Sequence, residues 1–276
     1  MAATPSTEKP AGLRGAIRVG IGGWTYEDWR GTFYPEGLSQ KRELEYASRR
    51  LTSIEINGTY YGSQKPATFA RWRDETPDGF VFSVKAPRFA MNRKVLAEAG
   101  GSITRFLDSG VTELRDKLGP INWQFLPNKS FDAADFEAFL SLLPGHAAGR
   151  ALRHVVEVRN DGFRCAVFIA LARKYAVAIA IAGDSDYPQI ADATAPFVYA
   201  RIMGTTAGEK SGYSAKHLDL WASRARAWAS GTPAQGLTYA EPPGTRVVPR
   251  DVYLYVISGY KQRNPAAALA LIERLG

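Results

Sequence analysis

The strongest constraint on this chain is an alternation. From Ile17 onward, eight short apolar, β-rich runs alternate with stretches of helical spacing, and no break is long enough to separate one domain from another. The runs predict strands over Ile17–Gly22, Ser53–Asn57, Phe80–Lys85, Ile121–Phe125, His154–Arg159, Ala176–Ala182, Phe197–Met203 and Val252–Ile257. Helical patterns lie near Lys41–Arg50, Pro66–Glu75, Ser102–Leu118, Ala133–Leu143, Arg164–Tyr175, Ala215–Ser230 and Pro265–Leu275. Asp132, three residues before Asp135, is placed to cap "FEAFLSLL", and Pro265 suits a first helical turn. After the sixth run, "DSDYPQIADAT" has no helical spacing and is expected to be an irregular link. Units of this kind close most economically into a single (β/α)8 TIM barrel over 16–276, and 276 residues suit one. An open doubly wound sheet is the alternative, but "GIGGW" at 20–24 lacks the third glycine and following helix of a dinucleotide fingerprint.

Composition narrows the function classes. Residues 1–15 are polar and rich in Pro and Gly, without the apolar segment of a secretion signal, and read as a disordered tail. No apolar run approaches the roughly 20 residues of a membrane span. The single cysteine, Cys165, excludes an internal disulfide and a cysteine-based zinc site, and it suits a reducing, cytoplasmic setting. A net charge of +8 favours anionic partners, although no block of Lys and Arg forms a basic arm.

Side chains alternate across a strand, so each run divides into two sets. One set is apolar throughout: Val19 and Ile21, Ile54 and Ile56, Phe82 and Val84, Val156 and Val158, Val177 and Ile179, Val198 and Ile202, Val252 and Leu254. These should face the helices. The opposite set should fill the lumen, with Gly20, Gly22, Ala178 and Ala180 making room for Tyr199, Tyr253 and Tyr255. Polar members of that set gather at the C-terminal strand ends, where barrel enzymes carry their chemistry. The expected floor is Glu55, Asn57, Lys85, Gln124, Glu157, Arg159 and Arg201, with Asp184 just beyond the sixth strand. Burying five charged groups is costly unless they pair with one another or meet a ligand, so a purely structural ion network is the competing reading.

Aromatic residues crowd the loops at the same end. "WTYEDWRGTFYPEG" carries Trp24, Tyr26, Trp29, Phe33 and Tyr34, and the next loop carries Tyr60 and Tyr61. Phe33 and Tyr34 are expected to pack their loop onto the barrel. For Trp24, Tyr26 and Tyr60, packing and stacking on a substrate ring both stay open. None of His146, His154 and His217 falls at the C-terminal end of a strand, so no histidine metal cluster is expected. A carboxylate-bound Mg²⁺ near Glu55, Glu157 and Asp184 stays open as an alternative. "RIMGTTAGEKSGYS" suits either a lid rooted at Arg201 or a solvated loop, and the 232–250 loop carries no functional signal.

The blocks "GIGGWTYEDWRGTFYP", "EINGTYYG", "WRDETPDGFVFSVKAPR", "LGPINWQFLP", "EVRN" and "YARIMG…GYSAKHLDLWA" follow one another in an order that resembles the YecE-like family, domain of unknown function 72. The resemblance spans Arg18 to Leu275 and implies an eight-stranded barrel. It maps the family's polar positions onto Trp24, Glu55, Asn57, Tyr60, Lys85, Gln124, Glu157, Arg159, Arg201 and Gly204. It also exposes departures. Met203 stands where the family usually carries a His, the last strand lacks a Phe-Asn-Asn type ending, and "QFLPN" replaces Gln-x-Pro-Pro. The resemblance implies a fold and a site position, not a reaction.

These observations lead to an expected enzyme of hydrolase or lyase type, acting on a small anionic, ring-bearing substrate such as a sugar phosphate or nucleotide. Glu55 and Glu157 would be acid and base, with Lys85 catalytic beside them. Arg159, Arg201 and Lys85 would hold the anion, while Trp24, Tyr26, Asn57, Tyr60, Gln124 and Asp184 complete the site. No cofactor is expected. A nucleic-acid-binding protein and a non-catalytic metabolite binder are the alternatives.

Overall fold

Parallel strands that each return through a crossover must bury both faces, and this chain does so by closing its sheet. The computed structural model describes residues 14–244 and 246–276. Eight strands form the barrel: β1 Ile17–Gly22, β2 Ser53–Ile56, β3 Val81–Lys85, β4 Leu118–Gln124, β5 His154–Glu157, β6 Ala178–Gly183, β7 Phe197–Ile202 and β8 Asp251–Val256. Each pairs in parallel with its successor, and β8 returns to β1. Around them lie α1 Glu43–Ser48, α2 Pro66–Asp74, α3 Gly100–Asp108, α4 Ala133–Ser141, α5 Ala166–Lys174, α6 Ala215–Ser230 and α7 Asn264–Leu275. Among the described residues no helix is long and apolar enough to cross a membrane.

The division of faces follows the alternation. The apolar set of strand residues packs with the helices in one continuous core. A second cluster fills the lumen, where Ala178, Ala180 and Ala182 lie against Tyr199, Tyr253 and Tyr255. Hydroxyls organise the middle of the lumen. Ser53 Oγ lies 2.7 Å from the Tyr255 hydroxyl, and Ser83 Oγ lies 2.8 Å from that of Tyr199. Register then brings the polar strand ends together: Gly22 sits beside Glu55, Lys85 beside Asn122, Gln124 beside Glu157, and Arg201 beside Tyr255.

Several boundaries depart from expectation. β2 and β5 stop at Ile56 and Glu157, so Asn57 and Arg159 stand in the loops above. The helix expected over Ser102–Leu118 breaks at Gly110 (φ +98°), continues as 3-10 turns over Val111–Lys117, and yields Leu118 to β4. The tail expected over 1–15 lies outside the described residues through 13. Gly15 is already fixed, its N–H donating to the Ala229 carbonyl at 2.9 Å.

The irregular link after β6 has a structural cause. Instead of a helix, 184–196 meets the 232–244 segment across the outside of the barrel. The Ala191 N–H donates to the Thr238 carbonyl at 2.9 Å, and the Asp192 carboxylate accepts from the N–H groups of Ala240 and Glu241 at 2.8 and 3.0 Å. The 232–244 segment therefore serves as outer wall. It begins where α6 ends at Gly231, whose φ of +88° belongs to the left-handed region that glycine tolerates. A Cβ there would lie 2.3 Å from the Val248 carbonyl carbon. Gly231→Ala is expected to destabilise the fold by about 1–3 kcal/mol through strain and overlap. A lower urea midpoint at unchanged slope is the expected readout, and an unchanged midpoint would contradict it.

Candidate active site at the barrel mouth

Arg201 is the centre of the floor. It is the fifth residue of β7, points inward, and is 4% exposed. Its Nη2 donates to Glu55 Oε1 at 2.9 Å and its Nη1 to Glu157 Oε2 at 2.5 Å, so one guanidinium spans carboxylates from β2 and β5. Glu55 also accepts the Tyr199 hydroxyl at 2.5 Å. Glu157 is held further by Arg159, whose Nε and Nη2 reach Oε1 at 3.0 and 2.8 Å, and by Asn122 Nδ2 on Oε2 at 3.0 Å. Burial alone would push the Glu157 carboxyl up, but the charges of Arg201, Arg159 and Lys85 outweigh it and hold the group down at about 2. The same carboxylates raise the pKa of Arg201 against the opposing effect of its burial.

Glu157 is thus held in its ionised form as a strut between Arg201 and Arg159. Arg201, expected to clamp a substrate anion, has both of its terminal nitrogens on protein carboxylates. Lys85 differs from the other floor cations in its surroundings. It closes β3 at 7% exposure, and among the described residues no carboxylate oxygen lies within 4.0 Å of its Nζ. The ammonium instead lies 4.2 Å from the centre of the Tyr60 ring. Burial, followed by the nearby Arg201 charge, brings its pKa down to about 8. Tyr60 keeps its proton, because burial pushes the phenol up. A local device positions the pair: Thr59 Oγ1, in the short helix Gly58–Tyr61, donates to the Lys85 carbonyl at 2.7 Å.

Around Lys85 stand polar groups without partners. Gln124 Oε1 and Asn122 Oδ1 are buried acceptors that receive no hydrogen bond, and Arg201 Nε is a buried donor that makes none. Asn57 leans over Gly22, where a Cβ would come within 2.7 Å of its Nδ2 and 3.2 Å of Ile257. On the β7–β8 side the wall turns apolar, with Met203 and Ile257 joined by Tyr187. Met203, in place of the histidine that the resemblance implies, belongs to this wall.

The remaining expected residues fall elsewhere. Trp24 leaves the lumen and packs edge-on against Trp72 of α2 at 5.1 Å. Tyr26 stays on the rim, with Lys261 Nζ 4.1 Å from its ring centre. Phe33 and Tyr34 pack their loop down as expected, the Tyr34 hydroxyl donating to the Trp24 carbonyl. Asp184 accepts the Trp221 indole N–H at 2.8 Å and lines a recess of about 380 Å³ with Glu209, Tyr213 and His217, apart from the floor. The 204–214 loop is tied down, since the Gly204 N–H donates to the Tyr213 hydroxyl at 2.7 Å and Thr205 Oγ1 to Asn264 at 2.7 Å. His154 is a core residue, accepting the Trp123 indole N–H at 3.1 Å. Among the described residues no three His, Cys, Asp or Glu side chains gather as a metal site, and Arg201 fills the space between Glu55 and Glu157.

Two participants were missed. Asn122 belongs to the inward set, but only its register with Lys85 places it in the site. Tyr187, whose hydroxyl accepts from Arg159 Nη1 at 3.2 Å beneath a 4.2 Å cation–π contact, sits in the irregular link, where no periodicity marks it.

Comparison with known proteins places this geometry. Residues 18–276 match the family model described as "Protein of unknown function DUF72". The chain is 29% identical to the UPF0759 protein YecE of Escherichia coli K12 over 150 residues, 53% of this chain and 50% of that one. It therefore spans about half the length of the curated relative it matches. A DUF72 family protein from Thermotoga maritima superposes with a TM-score of 0.68 at 18% identity, covering 94% of this chain and 98% of that one. A DUF72 family protein from Enterococcus faecalis gives 0.68 at 16%, covering 94% and 95%. A fusion protein described as a xylose isomerase-like TIM barrel with a 4-hydroxyphenylpyruvate dioxygenase gives 0.50 at 13%, covering 92% of this chain and 41% of that one. At such identities the structural likeness shows the fold alone.

The Glu157 strut makes a measurable demand on pH. Its folded pKa of about 2 lies below the ordinary 4.5, so its contribution to stability is full above about 4.5 and drains away as pH falls toward 2. Glu157→Gln leaves two guanidinia facing a neutral amide, and removal of one partner from such a buried pair costs roughly 3–5 kcal/mol. Chemical denaturation of wild type and variant at several pH values should show a gap that is wide at pH 7 and narrows below 4. A gap independent of pH would contradict the assignment.

Proposed function

The chain belongs to the DUF72 family, and from that premise we propose that it is an enzyme of hydrolase or lyase type acting at the C-terminal mouth of its barrel. Its substrate is small, anionic and ring-bearing, as a sugar phosphate or nucleotide is. The observation that carries this reading is the unpaired ammonium of Lys85, buried beside an ion network that is already complete without it. Glu55 and Glu157 balance Arg159 and Arg201, so Lys85 is a surplus positive charge that an anionic ligand would satisfy.

The other groups fit such a ligand. Gln124 and Asn122 present buried acceptors to its hydroxyls, Tyr60 offers a ring face, and Met203 with Ile257 provides an apolar wall for a ring edge. With a pKa near 8, Lys85 holds charge for binding and also releases its proton within the working range of a base or nucleophile. Phosphate-bearing ligands should bind best below pH 8 and weaken as the ammonium deprotonates above it. Calorimetric titration with a panel of sugar phosphates and nucleotides should show this step in wild type and lose it in Lys85→Met. An identical pH profile in both proteins would remove Lys85 from the site.

One observation favours a second reading, contact with single-stranded nucleic acid. Tyr61 is 73% exposed with Arg88 5.9 Å from its ring centre, and Phe89, Tyr260 and Lys261 stand on the same rim. Exposed aromatics among cations suit stacked bases and phosphates. That reading requires oligonucleotide affinity to fall steeply with salt and to weaken by about 1–3 kcal/mol in Tyr61→Ala. Salt-independent or absent binding would eliminate it.

A further inference from the structure

Lys85 is arranged to react as well as to hold charge. Both floor carboxylates are committed to guanidinia, so among the described residues none fixes the Lys85 amine as an ion-pair partner. The Lys85 backbone is anchored on both sides, by Thr59 on its carbonyl and by the Ala86 N–H donating to the Asn122 carbonyl at 2.9 Å. Its amine is packed against one aromatic face, and the neighbouring strand β4 carries buried acceptors, on Asn122 and Gln124, that a ligand bearing O–H or N–H groups would satisfy. A compact, hydroxylated molecule held by Asn122 and Gln124 would lie beside that amine, because Lys85 and Asn122 are register partners.

We propose that Lys85 forms an imine with the carbonyl carbon of a hydroxylated aldehyde or ketone. This deepens the lyase form of the function proposed above and rests on the barrel mouth being the active site. The neutral amine attacks the carbonyl carbon, a C–N bond forms, and the π pair moves to oxygen. That oxygen takes up two protons and leaves as water. In net terms the carbonyl compound and the lysine ammonium become a protonated imine and one water, with no oxidation or reduction. One positive charge is replaced by another, so the balance with Glu55, Glu157, Arg159 and Arg201 is preserved. An iminium draws electrons from a bond at the adjacent carbon, which serves a lyase and does nothing for ester hydrolysis. Burial and the neighbouring guanidinia supply the deprotonated amine that the first step requires.

The test is reductive trapping on the full chain at pH 8, with dihydroxyacetone phosphate and with glycolaldehyde as probes. Sodium borohydride delivers hydride to the imine carbon and leaves a stable secondary amine, located by peptide mass mapping. Modification of Lys85 should run at least about tenfold faster than that of any other lysine, as its larger neutral fraction requires. Lys85→Arg and Lys85→Met should lose this fast phase. No adduct on Lys85 with either probe, or a rate equal to that of exposed Lys41 and Lys174, would overturn the imine. Calorimetric binding of dihydroxyacetone phosphate without borohydride separates the two levels of inference. Binding kept by Lys85→Arg and lost by Lys85→Met, with no adduct, overturns the imine and leaves the mouth as an anion site. Binding unchanged in both variants, with no adduct, overturns both.

Discussion

A single guanidinium ties together carboxylates from two strands that are far apart in the chain. Arg201 on β7 bonds Glu55 on β2 and Glu157 on β5, all three almost fully buried. Without it both buried carboxylates would lose a shared counter-charge, and the guanidinium would be as costly without them. The layer below carries the same constraint downward. Tyr199, two residues before Arg201 on the same strand, donates to Glu55 and contacts Ser83, whose hydroxyl donates to the Pro120 carbonyl. The upper half of the lumen is therefore one hydrogen-bonded body, built from inward residues of β2, β3, β5 and β7.

That closed network determines what is left for a ligand. Arg159 completes the coordination of Glu157, and Lys85 alone of the floor cations has no carboxylate of its own among the described residues. The mouth acquires two unlike sides. One carries Lys85, Asn122 and Gln124, with donors and acceptors unspent, and the other is the Met203, Ile257 and Tyr187 wall. Polar groups that converge opposite an apolar face suit a substrate with a hydroxylated edge and a flat or ring-like body.

The outer layer shows how an irregular stretch can replace a helix. Asp192 accepts two backbone N–H groups from the 232–244 segment, and Thr194 Oγ1 donates to the Val177 carbonyl at 2.6 Å. These bonds satisfy backbone groups of the facing segments, and the Ala191 N–H finds the Thr238 carbonyl in place of a helical partner. The same requirement explains the 204–214 loop, where Tyr213 and Thr205 meet backbone and side-chain partners.

The strand pattern was legible because period-two alternation is imposed by the pleat itself, so Ile54 and Ile56 had to oppose Glu55 whatever the rest of the chain did. The barrel, its inner and outer faces and the end that carries charge all follow from residues of this kind. Charge state and partnership do not, because they depend on which strand ends become neighbours once the sheet closes. Glu157 and Lys85 read alike in the sequence, as charged residues at the ends of apolar runs. One became a strut because the guanidinia of Arg201 and Arg159 converge on it, and the other stayed free because, among the described residues, no carboxylate reaches it. Trp24 and Tyr60 were equally ambiguous, until Trp72 took the first into the outer core and Lys85 held the second at the mouth. The sequence by itself determined a closed barrel with a charged mouth. Only the tertiary structure decided which of those charges cancel, because electrostatic pairing acts over a few ångströms between residues from 2 to 146 positions apart.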